Sequence, residues 1–309
     1  MSYFLLSYQG SQSPRAGIVV GDEAFDAAEL TGNVNYSTAL GVLSDWQAAD
    51  HAFSAGVDRI SAGSIRGGAI KLSDLSILAP VLYPGNIYCA GANYKDHVAE
   101  MARAMKQPVG PTVKELGGLP WHFVKTSRSV VGPDTQVKLP SYSNAIDWEI
   151  ELAVVIGRNA KNVAVERALD YVAGYTIAND LSARDVIGRE HTPVTSPFYY
   201  DWISMKCFDG ACPLGPWLTP ASQIPNPQNL ALKLWVSGQL MQDSHTSQMI
   251  FDVAEQIAML SSRITLFPGD VILTGTPAGV GMPRGVFLKP GDVVKLWIER
   301  IGEMSHSVL

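Results

Sequence analysis

The residues best suited to chemistry form a spaced acidic set with one lysine: Glu149 and Glu151, then Asp180, then Lys206. The first pair lies in Asp147-Trp-Glu-Ile-Glu-Leu-Ala-Val-Val-Ile-Gly157, an apolar run that predicts a buried strand. Side chains alternate faces along a strand, so Glu149 and Glu151 point the same way. Two carboxylates side by side at the start of an apolar strand are costly unless something positive neutralises them. A divalent cation is the simplest candidate, since Mg²⁺ and Mn²⁺ prefer carboxylate oxygens and Mg²⁺ keeps waters that a substrate can displace. The competing reading leaves the glutamates on an exposed edge and Asp180 in a turn or cap. Lys206, before Cys207-Phe208 and far from any lysine run, reads by itself as a snorkelling surface residue.

Other residues qualify by spacing. The segment from Tyr94 to Lys106 predicts a helix, which puts His97 and Glu100 on one face; a glutamate there can orient the imidazole as a base, or the two form a solvated pair. Met101 and Met105 read as packing. Arg184 and Asp185 read as a structural ion pair in the first turn of a helix. If that helix continues, Ile187 and His191 share a face. Thr276, in the turn Gly275-Thr-Pro277, offers a hydroxyl and nearby backbone N–H groups to a carboxylate. Gly279 and Gly281 read as backbone geometry.

The elements that must position these groups are mostly strands. Residues 1–78 read as a small N-terminal α/β cap, with strands at 17–20 and 24–27 around Gly21-Asp-Glu and helices between Asn35 and Ser61. No catalytic constellation lies in it. Residues 79–309 carry short β-rich runs between tight turns, among them 86–90, 122–125, 137–139, 149–156, 172–177, 231–236, 270–274 and 292–298. Two Pro-Gly-Asp turns, at 268–270 and 290–292, each feed such a run, and Ser237-Gly-Gln239 predicts a hairpin. Besides 94–106, the clearest helix is 247–263. The class is therefore α+β and β-rich, a rolled mixed sheet rather than a doubly wound one.

Bulk properties exclude several functions. The 309 residues are 47% hydrophobic and 17% charged, enough for a sizeable core. A net charge of −6 with no Lys/Arg stripe argues against nucleic acid, and against the metal-dependent nuclease that an acidic triad with a lysine also suggests. No apolar run reaches the length of a membrane span, and the N-terminal apolar patch is short and lacks a basic flank, so neither membrane anchoring nor export is expected. Cys89, Cys207 and Cys212 form no C-x-x-C pair and read as core residues in a reducing, cytoplasmic setting. There is no G-x-G-x-x-G, P-loop or G-x-S-x-G.

From about Gly85 onward the chain resembles the fumarylacetoacetate hydrolase family. The resemblance is carried, in order, by Gly91-Ala-Asn-Tyr-Lys-Asp-His97-Val-Ala-Glu100, Asp147-Trp-Glu-Ile-Glu-Leu152, Gly174-Tyr-Thr-Ile-Ala-Asn-Asp180-Leu-Ser-Ala-Arg-Asp185, Lys206-Cys-Phe-Asp-Gly-Ala-Cys-Pro-Leu-Gly215, Ser247-Gln-Met-Ile-Phe251 and Leu273-Thr-Gly-Thr-Pro-Ala-Gly-Val-Gly281. It implies a mixed β-roll catalytic domain, a homodimer, and one Mg²⁺ or Mn²⁺ per site held by Glu149, Glu151 and Asp180. Lys206 is then a fixed cation for developing negative charge, and His97 and Glu100 form a general-base dyad on a mobile lid. Thr276 then helps to hold a substrate carboxylate, and Arg184 is a candidate substrate contact beside its ion-pair reading. Two positions depart from the family: Ile187 stands where many members have glutamine, and His191 where a tyrosine occurs. Together they make one corner of the pocket more apolar, and the aromatic stretch 196–202 supplies extra aromatic surface before Lys206.

The expected activity is hydrolysis of a C–C bond in a β-diketo acid of acylpyruvate type, with water activated by His97 and Glu100 and the resulting enolate held by the metal and Lys206. The rivals are decarboxylation of an oxaloacetate-like 2-oxo acid, then dehydration or isomerisation (tautomerisation included) of a sugar acid or an aromatic-catabolism intermediate. A non-enzymatic ligand-binding relative would be signalled by a lost metal ligand, and none is lost.

Overall fold

Both Pro-Gly-Asp turns use the same device. Gly269 and Gly291 take φ of 87° and 92°, a region costly for any side chain. The aspartate that follows folds its carboxylate back: Asp270 Oδ2 accepts from Phe267 N at 2.9 Å and Asp292 Oδ2 from Lys289 N at 3.0 Å. Each turn delivers a strand, Val271–Leu273 and Val293–Ile298.

This computed structural model describes residues 2–65 and 67–309. Their strands build a β-rich mixed α/β fold of three sheets. The main path of the largest sheet runs Ala69–Lys71, Glu23–Asp26, Pro14–Val20, Phe4–Gln9, Cys212–Pro220, Val172–Asn179, Ile150–Ile156, Val271–Leu273, Ile87–Ala90, His122–Lys125. Most neighbours are antiparallel, but Val271–Leu273 runs parallel to Ile87–Ala90. A five-stranded sheet comprises Gln239–His245, Ala231–Val236, Val293–Ile298, Gly302–Val308 and Gln136–Val137. The third sheet is the short pair Ile146–Asp147 and Ser182–Ala183.

The hairpin at 14–26 and the helices Ala39–Ser44 and Trp46–Ser61 lie in the N-terminal segment, as expected. The strand Phe4–Gln9 is an addition to the sequence reading. It pairs with Cys212–Pro220, Leu5 opposite Leu218, so the N-terminal strands continue the sheet of the later residues. Leu5, Ile18, Phe53 and Val57 share one apolar cluster with Ala153, Val155, Leu214 and Leu273.

Cys212–Pro220 lies inside the sheet although it holds Pro213, Pro216 and Pro220. Proline cannot donate to a ladder and normally argues against a central strand. Here the register with Val172–Asn179 slips between Tyr175 and Ile177, and Pro216 sits in that irregularity.

Two helical expectations change. The helix expected from Ser247 begins at Val253, because Asp252 and Glu255 form a reciprocal capping box; Thr246–Gln248 makes only a 3₁₀ turn. The helix expected beyond Asp180 is a single 3₁₀ turn, Arg184–Val186. The chain then loops, and His191 takes φ of 59°, so Ile187 and His191 do not share a helical face. The other helix near the site is Lys95–Ala104. Among the described residues no helix is long and apolar enough to cross a membrane.

Ile150–Ile156 and Val172–Asn179 are buried along their whole length. Leu152, Val154 and Ile156 pack into one cluster while Ala153 and Val155 pack into the other. That two-sided burial explains the continuous apolar run after Glu151. The carboxylates stand where these two strands end.

Candidate active site

Antiparallel pairing brings the acids together. Ile150 lies opposite Asn179 and Glu151 opposite Ala178, so Asp180, one residue beyond its strand, arrives beside Glu149. The junction is pinned by Asp180 N donating to Glu149 O at 2.9 Å and Glu149 N donating to Asn179 Oδ1 at 2.9 Å. Carboxylate oxygens of Glu149, Glu151 and Asp180 lie within 4.8 Å of one another, and all three residues are buried.

Cations surround two of the three. Lys206, the last residue of the short helix Trp202–Lys206, is 3% exposed; its Nζ reaches Glu149 Oε2 at 2.9 Å and Asp180 Oδ2 at 2.7 Å. The snorkelling reading of Lys206 is thereby replaced by a buried bridging ammonium. Burial disfavours its charge, but Asp180 and Glu149 outweigh that and raise its pKa above the ordinary lysine value. Lys125 takes the other Asp180 oxygen, with Nζ 2.6 Å from Oδ1 and 3.1 Å from Leu181 O. Arg184 donates to Glu149 Oε1 and, through Nε, to Asp147 Oδ2 at 2.9 Å. Burial would raise the Glu149 pKa; Lys206 and Arg184 overcome it and hold the value at about 2.

Glu151 has no such partner among the described residues. Its Oε2 accepts one backbone bond, from Gly275 N at 2.5 Å. Burial, then Asp180 and Glu149, push its pKa well above the ordinary glutamate value. A buried carboxylate repelled by two others is what a hard divalent cation relieves, and an all-oxygen donor set of this kind fits Mg²⁺ or Mn²⁺. The residues present therefore fit the expected metal.

The same cavity, about 410 Å³, is lined by His97, Glu149, Glu151, Arg184, Ile187, Lys206 and Thr276 among others. Its volume lies in the range of small-molecule sites. His97 is half-buried, and its Nδ1 is a buried atom with no hydrogen-bond partner among the described residues. Burial lowers its pKa from 6.5, more than the neighbouring Glu149 raises it. Glu100 faces elsewhere in this structure: its Oε2 accepts from Gly279 N at 2.8 Å, and Arg284 lies 3.8 Å from Oε1. Asp96, on the same helix, accepts from Ser244 Oγ at 2.5 Å and Ala278 N at 3.3 Å. The two acids moor the helix to the 278–279 loop, and no hydrogen bond joins Glu100 to His97.

Two other expectations are corrected, and the one for Thr276 is narrowed. Arg184 pairs with Asp147 and Glu149, while Asp185 accepts from Ser143 Oγ and Asn144 N. The Thr276 hydroxyl donates to Ile150 O at 2.9 Å and accepts from Gln242 Nε2 at 2.9 Å, so its proton is committed although the residue lines the cavity. His191 is exposed and lies outside the cavity lining, which Ile187 enters alone of the two.

Sequence reasoning overlooked the residues behind the acids. Lys125 ends a strand in an ordinary context, whereas Asp147 lies two residues before Glu149, so the period-two spacing that pairs Glu149 with Glu151 could have found it. Asp147 also accepts from Gly281 N at 2.6 Å and Met282 N at 3.1 Å, tying Arg184 to the 281 turn. Gly281 is needed for space: a Cβ there would lie 1.9 Å from Val286 O. Gln242 joins Ile150 N, Thr276 Oγ1 and Pro277 O.

A β-rich enzyme fold with a carboxylate metal centre at the strand ends is the class that fold and site define. The chain belongs to the fumarylacetoacetate hydrolase family: residues 86–309 match the family model for the fumarylacetoacetate (FAA) hydrolase C-terminal region. It is 44% identical over 242 residues to a mitochondrial oxaloacetate tautomerase of Xenopus laevis, covering 78% of this chain and 70% of that one. Among solved structures, it resembles fumarylacetoacetate hydrolase from psychrophilic Exiguobacterium antarcticum, with TM-score 0.76, 30% identity and 99% of both chains covered. It also resembles a Sphingobium maleylpyruvate hydrolase in complex with manganese(II) and pyruvate, with TM-score 0.76, 29% identity, and 99% and 98% of the chains covered.

Proposed function

We propose that this chain catalyses keto–enol proton transfer on an oxaloacetate-like 2-oxo acid. The observation that carries the reading is His97, a half-buried imidazole whose Nδ1 is buried and unpartnered among the described residues, in the wall of the cavity that holds Glu149, Glu151 and Lys206. Its lowered pKa leaves it neutral near pH 7, as a general base must be. The name of the Xenopus laevis relative supports the same reaction and substrate.

A divalent cation held by Glu149, Glu151 and Asp180 would supply Lewis-acid polarisation of the 2-oxo group. His97 takes the proton from C3. The C3–H electrons form the C2–C3 double bond, and the C2=O pair moves onto oxygen. The Lys206 ammonium, fixed beside the carboxylates, offsets that charge without reorganising. Protonation of the oxygen gives the enol, and the reverse sequence gives the ketone. Decarboxylation would use the same charge stabilisation, with the bond to the departing carboxylate breaking in place of C3–H and no base required.

Hydrolysis of an acylpyruvate is the second reading, favoured by the likeness to maleylpyruvate hydrolase. It needs an oriented base to activate water, and Glu100 is turned to Gly279 here. The test offers oxaloacetate and acetylpyruvate separately to the Mn²⁺-loaded protein, with EDTA and Glu151→Ala controls. Metal-dependent equilibration of the oxaloacetate enol, followed by ultraviolet absorbance and NMR, is the expected result. Pyruvate and CO₂ from oxaloacetate would move the assignment to decarboxylation, and acetate plus pyruvate from acetylpyruvate to hydrolysis.

A further inference from the structure

The charges of the cavity lie on one side. Its charged lining residues are Glu149, Glu151, Arg184 and Lys206, all at the carboxylate cluster. Arg184 is committed to Asp147 and Glu149, and Lys206 to Glu149 and Asp180. Val113, Trp121, Phe123, Ile187, Trp202 and Met205 supply an apolar lining away from that cluster.

The aromatic part of that lining is a built surface. Phe123 and Trp202 stack with centroids 5.1 Å apart and planes at 21°, and Trp121 lies 5.3 Å from Trp202 and 5.7 Å from Phe123. Lys206 Nζ stands 5.1 Å from the centre of the Phe123 ring, so the slab begins at the charged cluster and runs outward. Its outer end, Trp121, is 50% exposed. Trp121 can lie there because residue 91 is glycine: a Cβ at 91 would fall 2.2 Å from two atoms of the indole ring. Gly91 N also donates to Trp121 O at 3.1 Å, fixing the backbone beneath it. Ile187, which replaces the polar residue expected at that corner, keeps the adjoining wall apolar.

We propose that Trp121, Phe123 and Trp202 form a subsite for an apolar, aromatic C3 substituent, so that the site also tautomerises arylpyruvates. The inference rests on the 2-oxo acid reading and names the substrate class it extends to. The carboxylate and 2-oxo groups of an arylpyruvate face the charged cluster, and the aryl ring lies along the Trp121–Trp202 slab. A benzene-sized group occupies a cavity of about 150 Å³, and the 410 Å³ here leaves room for the acid as well. The proton balance is that of the reaction above: C3–H is lost to His97, the C2–C3 double bond forms, and the C2 oxygen is protonated to give the enol. No redox partner is involved.

The experiment measures C3 hydrogen–deuterium exchange by NMR on the full chain with Mn²⁺, for phenylpyruvate, pyruvate and oxaloacetate, each against an enzyme-free control. Phenylpyruvate is expected to exchange at least tenfold faster than pyruvate at equal low concentration. Trp202→Leu and Trp121→Leu are expected to raise KM for phenylpyruvate at least fivefold while changing KM for oxaloacetate less than twofold. Turnover of oxaloacetate with phenylpyruvate no better than pyruvate would overturn the subsite and leave the proposed function standing. Equal losses for both substrates in the tryptophan variants would reduce the slab to a structural role and also overturn it. If no acid exchanges, the proposed function fails, and phenylpyruvate binding by calorimetry to wild type and to Trp121→Leu decides the subsite alone. Trp121 is half exposed, so its variant is expected to fold, and circular dichroism checks this. Binding that Trp121→Leu weakens supports the subsite; equal or no binding overturns it.

Discussion

Lys125 and Asp180 form a wholly buried ion pair, Nζ to Oδ1 2.6 Å, while Lys206 takes the other carboxylate oxygen, Oδ2, at 2.7 Å. Asp180 is thus held between two ammonium groups. Only Lys206 of the two lines the cavity, so Lys125 acts as a backing charge and Lys206 as the one that faces a ligand.

Removing the backing charge leaves a buried carboxylate under-compensated. Lys125→Met is expected to destabilise the metal-free protein by about 3–5 kcal/mol. Mn²⁺ should narrow the difference, because the cation replaces part of the lost charge. Urea unfolding of wild type and variant, with EDTA and with Mn²⁺, reads both effects. An equal gap in the two conditions would separate Lys125 from the metal centre.

Glu151→Gln should act in opposite directions on stability and metal binding. Without metal the wild-type carboxylate is repelled by Asp180 and Glu149, so the amide is expected to leave melting temperature unchanged or higher. With one of three anionic ligands gone, Mn²⁺ affinity should fall roughly 100-fold, about 3 kcal/mol. Calorimetric titration and thermal melts with EDTA test the pair of signs.

His97→Gln is expected to lower kcat by about 10²–10⁴-fold while leaving Mn²⁺ affinity within a factor of about three. In the wild type, the acid limb of the kcat/KM profile should fall below pH 6.5, since burial favours the neutral ring. Glu100→Gln separates the two roles of that residue. Its amide oxygen can still accept from Gly279 N, so a mooring role predicts a change in kcat below about threefold, whereas a base-orienting role predicts a loss comparable to His97→Gln.

Acid stability should report His306. The ring is buried, and its Nε2 lies 2.9 Å from Asn179 Nδ2, whose amide oxygen already accepts from Glu149 N. The amide must therefore donate, which leaves the imidazole neutral and accepting. Burial pushes its pKa down to about 4. The unfolded chain binds this proton near pH 6.5 and the folded chain only near pH 4, so stability is full above 6.5 and declines as pH falls between those values. The loss is on the order of 3 kcal/mol for a shift of this size. His306→Gln keeps an acceptor for Asn179 and should flatten this part of a melting-temperature profile. His122, also near 4 through burial, contributes the same sign.

The acidic set was legible because period-two alternation is a local property. Glu149 and Glu151 must share a face wherever their segment goes, and an apolar run after them has to be buried. The Pro-Gly-Asp turns were legible for the same reason: φ preference and the returning aspartate act within four residues. The capping box at Asp252 and Glu255 was equally local, but it was overlooked, and the helix start was set too early.

Partners distant along the chain were another matter. Nothing near Lys125 says that its ammonium meets Asp180, 55 residues later, and nothing near Asp147 says that it holds Arg184, 37 residues later. Lys206 read alone as a surface residue, because burying an ammonium is prohibitive until the carboxylates that neutralise it are in place. Cys212–Pro220 was hidden by its prolines, which a register irregularity against a distant strand accommodates. Residue type and spacing thus determined which groups could bind a hard cation and move a proton. Strand register, long-range charge pairing and the Gly91–Trp121 contact decided which of them face the cavity, because those depend on free energies that exist only once the chain has folded.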